Sequence, residues 1–220
     1  RVDHGLGAVF SDMTGDGRPD LCVANDADPN RLYVNVPWPG GAEADPAGLG
    51  FRLEDHGRRA GAADPNAGMG IAVADYDLDG RPDLFVTNSH RQLHAAYRGR
   101  PATAEGPSYA DARPAFAPSL DTSLAGWGAS FADLDLDGDP DLLLANGAVP
   151  VTSLAKDAEP LKVLGNLAAQ GEPGQVADVS RLVGLSAATK VIGRGLAVAD
   201  FDNDGDLDVA LNSVGGKLQL

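Results

Sequence analysis

Short apolar runs separated by turns rich in aspartate and glycine recur along the chain, and one run-turn-run unit appears four times in the same frame. Residues 4–26 read HGLGAVFSDMTGDGRPDLCVAND, 67–89 AGMGIAVADYDLDGRPDLFVTNS, 125–147 AGWGASFADLDLDGDPDLLLANG, and 192–214 IGRGLAVADFDNDGDLDVALNSV. The first aspartates of the four turns, Asp12, Asp75, Asp133 and Asp200, lie 63, 58 and 67 residues apart. That period exceeds an ankyrin or leucine-rich repeat and suits a four-stranded propeller blade with long connections. In each unit a Gly-x-Gly pair opens a strand rich in Ala and Val, where close backbone approach favours glycine. A second strand follows the turn, as LCVA, LFVT, LLLA or VALN. These runs do not alternate, as expected where both faces of a sheet are covered.

Weaker strands follow. LYVN at 32–35 is echoed by LHAAY at 93–97, LKVLGN at 161–166 and a truncated LQL at 218–220. FRLEDHGRRAG at 51–61 is similar to VADVSRLVGL at 176–185. The Pro-, Gly- and Ala-rich stretches 36–50, 98–113 and 167–175 are predicted as surface loops. The pattern therefore predicts an all-β chain, a stretch of β-propeller over residues 1–220. Its repeats lie near 4–61, 67–118, 125–185 and 192–220, the last cut short, which makes about four blades.

Composition agrees with many short strands. Gly (28) and Pro (15) together reach about a fifth of the 220 residues, against roughly an eighth in average proteins. Hydrophobic residues at 43% place the chain among globular proteins. Aromatics at 5% predict a core of mostly Ala, Val and Leu. The formal net charge of −15 argues against nucleic acid and anionic membranes as partners, since both need clustered Lys and Arg. A single cysteine, Cys22, excludes an intramolecular disulfide and is predicted on a buried strand. The sequence has no transmembrane run and no signal peptide. It starts at Arg1 inside one repeat and stops at Leu220 inside another, so both ends read as cut and the compartment is left open.

The acids fall in register. Loop positions 1, 3, 5 and 9 are Asp12, Thr14, Asp16 and Asp20 in the first copy, and Asp75, Asp77, Asp79 and Asp83 in the second. They are Asp133, Asp135, Asp137 and Asp141 in the third, and Asp200, Asp202, Asp204 and Asp208 in the fourth. A glycine at position 6 (Gly17, Gly80, Gly138, Gly205) permits the sharp turn. Four carboxylates within nine residues repel strongly unless a cation neutralises them. Hard oxygen donors on a flexible loop suit Ca2+, whereas Mg2+ demands a tighter octahedron. The backbone carbonyl at position 7 (Arg18, Arg81, Asp139, Asp206) is the natural further ligand, so about four Ca2+ are expected. The extra carboxylates of Asp139 and Asp206 are expected to attract the ion without coordinating it. Thr14 should make the first site the weakest. Asp-Gly clusters can be mere turn formers, but four copies in one frame between the same two strands argue for the metal reading. An EF-hand would need glutamate at position 12, where this chain has Val23, Val86, Leu144 and Leu211.

Gly-x-Gly, an Ala-Val strand, DxDxDG, two residues, then Asp-Leu and an apolar strand resembles the FG-GAP/VCBS repeats of integrin-α-like propellers. The likeness is strongest to cartilage-acidic-protein-like secreted proteins, with Asn25, Asn88 and Asn146 five residues beyond the last loop aspartate and Asn212 one residue early. The resemblance implies a seven-bladed propeller, calcium at the blade loops, export, and a role in adhesion or assembly.

The remaining candidates are weaker. His90 and His94 in HRQLH have a zinc-compatible spacing but no supporting cysteine or helical pattern, and are predicted on a surface loop; His4 and His56 stand alone. Trp38 and Trp127 could stack on sugars, although Trp127 between Gly126 and Gly128 suits packing better. No catalytic residues or organic cofactor site are indicated. Two functions compete: a calcium-binding, non-catalytic adhesion or scaffold module, secreted, periplasmic or at the cell surface, and the propeller domain of a carbohydrate-active lyase or hydrolase. Expected partners are a protein, within a larger assembly, or an extracellular polysaccharide, with no membrane insertion.

Overall fold

The computed structural model describes residues 3–120, 122–185 and 189–220, so the starting Arg1 lies outside it. Each repeat folds on itself into an antiparallel sheet. The first sheet comprises β1 (Gly5–Ser11), β2 (Asp20–Asn25), β3 (Arg31–Pro37) and β4 (Phe51–Asp55), followed by the single-turn helix α1 (Gly57–Ala60). The second comprises β5 (Gly68–Ala74), β6 (Asp83–Asn88), β7 (Ala95–Thr103) and β8 (Gly106–Asp111), followed by α2 (Arg113–Phe116). The third adds β9 (Gly126–Ala132) and β10 (Asp141–Asn146), with β12 (Lys162–Asn166) and β13 (Val176–Asp178) outside them. A separate pair, β11 (Glu159–Pro160) and β14 (Lys190–Val191), precedes the fourth sheet, β15 (Gly193–Ala199) with β16 (Asp208–Ser213). The LQL segment contributes one bridge, Leu211 to Gln219. Among the described residues no helix is long and apolar enough to cross a membrane.

One sequence expectation fails at 98–113. That stretch is not a surface loop: β7 runs on to Thr103 and returns as β8, with Arg98 opposite Ala110 and Arg100 opposite Ser108. Its outer half is exposed, so it carries no apolar run, and pairing with the neighbouring strand rather than local propensity makes it a strand.

The register is the same in every copy. The ninth loop residue opens the second strand opposite the last residue of the first: Asp20 and Ser11, Asp83 and Ala74, Asp141 and Ala132, Asp208 and Ala199. The first strands of successive sheets lie side by side, β1 on β5, β5 on β9 and β9 on β15. The second glycine of the first three Gly-x-Gly pairs makes this possible. A Cβ on Gly7 would lie 2.3 Å from Met69 O, and one on Gly128 would lie 2.9 Å from Arg194 O. Trp127 closes the third of these contacts as packing: its Nε1 donates to Gly147 O at 2.8 Å, and the Arg194 guanidinium sits 4.0 Å above its ring.

The inner sheets explain the unbroken apolar runs. Leu84 and Val86 of β6 enter a core with Cys22, Ala24, Leu32 and Tyr97, while Phe85 between them enters a second core with Tyr76, Phe116, Leu142 and Leu164. Alternation persists, but both faces are buried. The second core is more aromatic than the composition suggests. Phe116 meets Tyr76 edge-on at 5.1 Å and Phe85 at 5.3 Å. Cys22 is buried as expected, and burial pushes its thiol up to about 12.

His90 and His94 lie on the predicted loop, between β6 and β7, but His94 is not on its surface. His94 is buried; its Nδ1 accepts the Asn88 N–H at 2.8 Å, and its ring meets Phe85 edge-on at 5.8 Å. His90 instead bonds Glu159 Oε1 at 2.6 Å, so the two rings have different partners. His4 reaches Asp28 at 3.0 Å, and His56 is buried against Gly106. Burial holds the His94 pKa down at about 4, against an ordinary 6.5. A depressed folded pKa means stability that is complete above pH 6.5 and lost as pH falls toward 4. Between pH 7 and 4.5 the wild type should lose on the order of 2 kcal/mol more than His94→Gln, whose amide oxygen can accept the same N–H without titrating. Denaturant unfolding of both proteins across that range measures it; parallel acid slopes would refute this role for His94.

Candidate metal centres

The loops are built by their own carboxylates. The position-1 aspartate caps the amides of positions 5 and 6. Asp75 accepts Asp79 N at 2.9 Å and Gly80 N at 2.7 Å; Asp133 accepts Asp137 N and Gly138 N, both at 3.0 Å. Asp12 and Asp200 do the same for Asp16 and Gly17, and for Asp204 and Gly205. The position-5 carboxylate accepts the position-7 amide in every copy. Two residues per loop adopt positive φ: the glycine at position 6 and, unanticipated from the sequence, position 4, which is Gly15, Leu78, Leu136 or Asn203. Gly15 and Asn203 were the available signal, since both residue types tolerate that conformation.

The position-9 aspartate ties loop to sheet. Asp20 accepts Met13 N at 2.9 Å and Asn35 N at 2.8 Å. Asp83 accepts Tyr76 N at 2.9 Å and Gly99 N at 2.6 Å, and Asp141 accepts Leu134 N at 3.2 Å and Asn166 N at 2.9 Å. Asp208 accepts Phe201 N at 3.0 Å. Burial raises the pKa of Asp20 and Asp141, and takes Asp83 to about 7, despite the two amides each receives. These carboxylates are held where a bare negative charge is costly, which is what a cation would relieve.

In three loops the carboxylates converge. One oxygen each from Asp75, Asp77 and Asp83, from Asp133, Asp135 and Asp137, and from Asp200, Asp202 and Asp208 lie within 4.8 Å of one another. Ligands on opposite sides of a calcium ion at about 2.4 Å stand about that far apart, so the donor sets fit the ion. Among the described residues the first loop forms no such group. There the Thr14 hydroxyl donates to Asp12 at 3.3 Å. The Arg18 guanidinium folds back on Asp16, and Arg81 does likewise on Asp79 in the second loop.

The surroundings of position 7 differ between copies. Asp139 and Asp206 do not behave alike. Asp139 is buried and accepts Ala169 N at 2.7 Å, with burial raising its pKa, so its side chain anchors the 167–175 turn. Asp206 stays exposed. The difference comes from the outer strands, which the third copy has and the fourth lacks.

No curated protein matches the chain. Residues 12–86, from the first loop aspartate through most of β6, match the model of the FG-GAP-like repeat.

Proposed function

We propose that this chain is a calcium-binding, non-catalytic propeller module through which an exported protein engages a protein partner or an extracellular polysaccharide. The observation that carries the reading is the convergence of three carboxylate oxygens in three loops of one backbone frame. Calcium would supply charge neutralisation there, held by positions 1, 3, 5 and 9 and the position-7 carbonyl. The side-by-side first strands support a propeller, and Phe10 of β1, 65% exposed, marks a face that a further blade would cover in a seven-bladed ring. Asn25, Asn88 and Asn146 keep the likeness to cartilage-acidic-protein-like proteins, and with it a secreted, periplasmic or cell-surface setting as a subunit of a larger assembly. Repeats of the matched type are generally non-catalytic, which favours binding over turnover.

Calorimetric titration of chelator-treated protein tests the reading. About four calcium ions per chain should bind, and the third and fourth loops, which carry no arginine at position 7, should fill first. Absence of calcium-dependent heat would refute it. Thr14→Asp should tighten the first site by about tenfold, because affinity follows the number of charged ligands. An unchanged isotherm would mean that loop geometry, not charge, sets the order.

A further inference from the structure

The second loop differs from the others in one respect that its aspartates do not reveal. Arg98 projects from β7, half exposed, and its Nε lies against Asp77 Oδ2, with Nη2 3.4 Å from Asp79 Oδ2. The Asp77 side chain is 1% exposed and contributes an oxygen to the converging group. Arg81 belongs to the regular frame, because it has a counterpart in Arg18: each bonds the position-5 carboxylate and a third-strand carbonyl, Gly99 O and Asn35 O. Arg98 has no such counterpart. Tyr97 stands opposite Leu84, as Tyr33 stands opposite Leu21 and Leu164 opposite Leu142, so the residues in the place of Arg98 are Val34 and Gly165. Neither can carry charge.

We propose that Arg98 is a tethered counter-ion of the second loop, which an incoming calcium ion must displace, so that this site fills late and its filling frees the side chain that ties the β7–β8 hairpin to the loop. This rests on the calcium reading above. The physical reason is competition for one carboxylate. A calcium ion would bind an Asp77 oxygen at about 2.3–2.6 Å, and the guanidinium already lies against that carboxylate. The arginine keeps the buried carboxylate neutralised when calcium is scarce, and the gain on metal binding is reduced by the ion pair that must break. Acid count alone would rank this loop with its siblings. The tethered cation separates it from them and makes its occupancy respond to a higher calcium concentration.

Arg98→Gln removes the charge while keeping a polar side chain at a half-exposed position. In calorimetry one calcium-binding event should tighten by about tenfold, given that unit charges about 4 Å apart interact by about 1 kcal/mol or more, and the remaining events should not move. Arg98→Lys should fall between the two. Adding Asp77→Asn to Arg98→Gln should abolish the gain, which assigns it to this loop. Hydrogen exchange gives a second readout: in the wild type, calcium should speed exchange in residues 98–103, and in Arg98→Gln it should not. Calcium heat with superimposable wild-type and Arg98→Gln isotherms would overturn this proposal alone. No calcium heat in either protein would overturn the calcium reading itself.

Discussion

Stripping calcium should lower the unfolding midpoint of this protein by about 10–20 °C relative to protein in excess calcium. A ligand that binds only the folded chain stabilises it by about 1.4 kcal/mol per site when present at roughly tenfold above its dissociation constant. Four such sites reach about 6 kcal/mol, and each kcal/mol moves the midpoint of a chain this size by about 2–4 °C. The effect should be large because the loops are part of the sheets. Asp20, Asp83 and Asp141 each join a loop amide to a third-strand amide. Desolvation of these carboxylates destabilises the metal-free fold, and four calcium ions would bring the formal charge from −15 to −7. Thermal unfolding in chelator and in 1 mM calcium measures the difference. Magnesium at the same concentration should recover little of it. Coincident curves would remove the metal from any account of the fold's stability.

The loops were legible because their chemistry is local. Nine consecutive residues carry the aspartates and the turn glycine, and the flanking strands pair directly across them, as Ala74 does with Asp83. The second strands were equally plain, since burial on both faces leaves an unbroken run such as that around Phe85. What escaped depends on distant residues. The strand at 98–103 is mostly exposed and has no apolar run, and its pairing with β8 defines it. His94 reads as a surface histidine until Asn88, Phe85 and Gly126 of β9 close over it. Arg98 lies 21 residues from Asp77, and nothing in its neighbours announces a contact with the loop. Asp139 and Asp206 are the same residue in the same frame, yet one is buried by a turn 30 residues away and the other is not. Local spacing specifies the loop; what surrounds each copy is set by the outer strands.

The Gly-x-Gly pairs hold the sheets together, and substituting them should separate the copies sharply. Gly70→Ala should cost more than about 3 kcal/mol, above the usual range for overpacking, because the added methyl meets backbone and not a movable side chain. Its Cβ would stand 1.7 Å from Trp127 O, and 3.1 Å from the Thr87 hydroxyl that accepts the Gly70 N–H at 2.7 Å and donates to Trp127 O at 2.8 Å. Relieving that overlap requires β5 and β9 to move apart, which opens the core shared by Phe85, Phe116 and Leu142. Gly195 holds the same place in the fourth copy, but a Cβ there would meet only Asn212 Cβ, at an ordinary 3.7 Å. Gly195→Ala should therefore be neutral or slightly stabilising, since alanine restricts the unfolded chain. Denaturant unfolding of the two variants beside the wild type, all in calcium, separates close packing from any intrinsic preference for glycine in this motif. Equal losses in both would show that the motif needs glycine for its backbone conformation, and that the contact between neighbouring first strands does not set the cost.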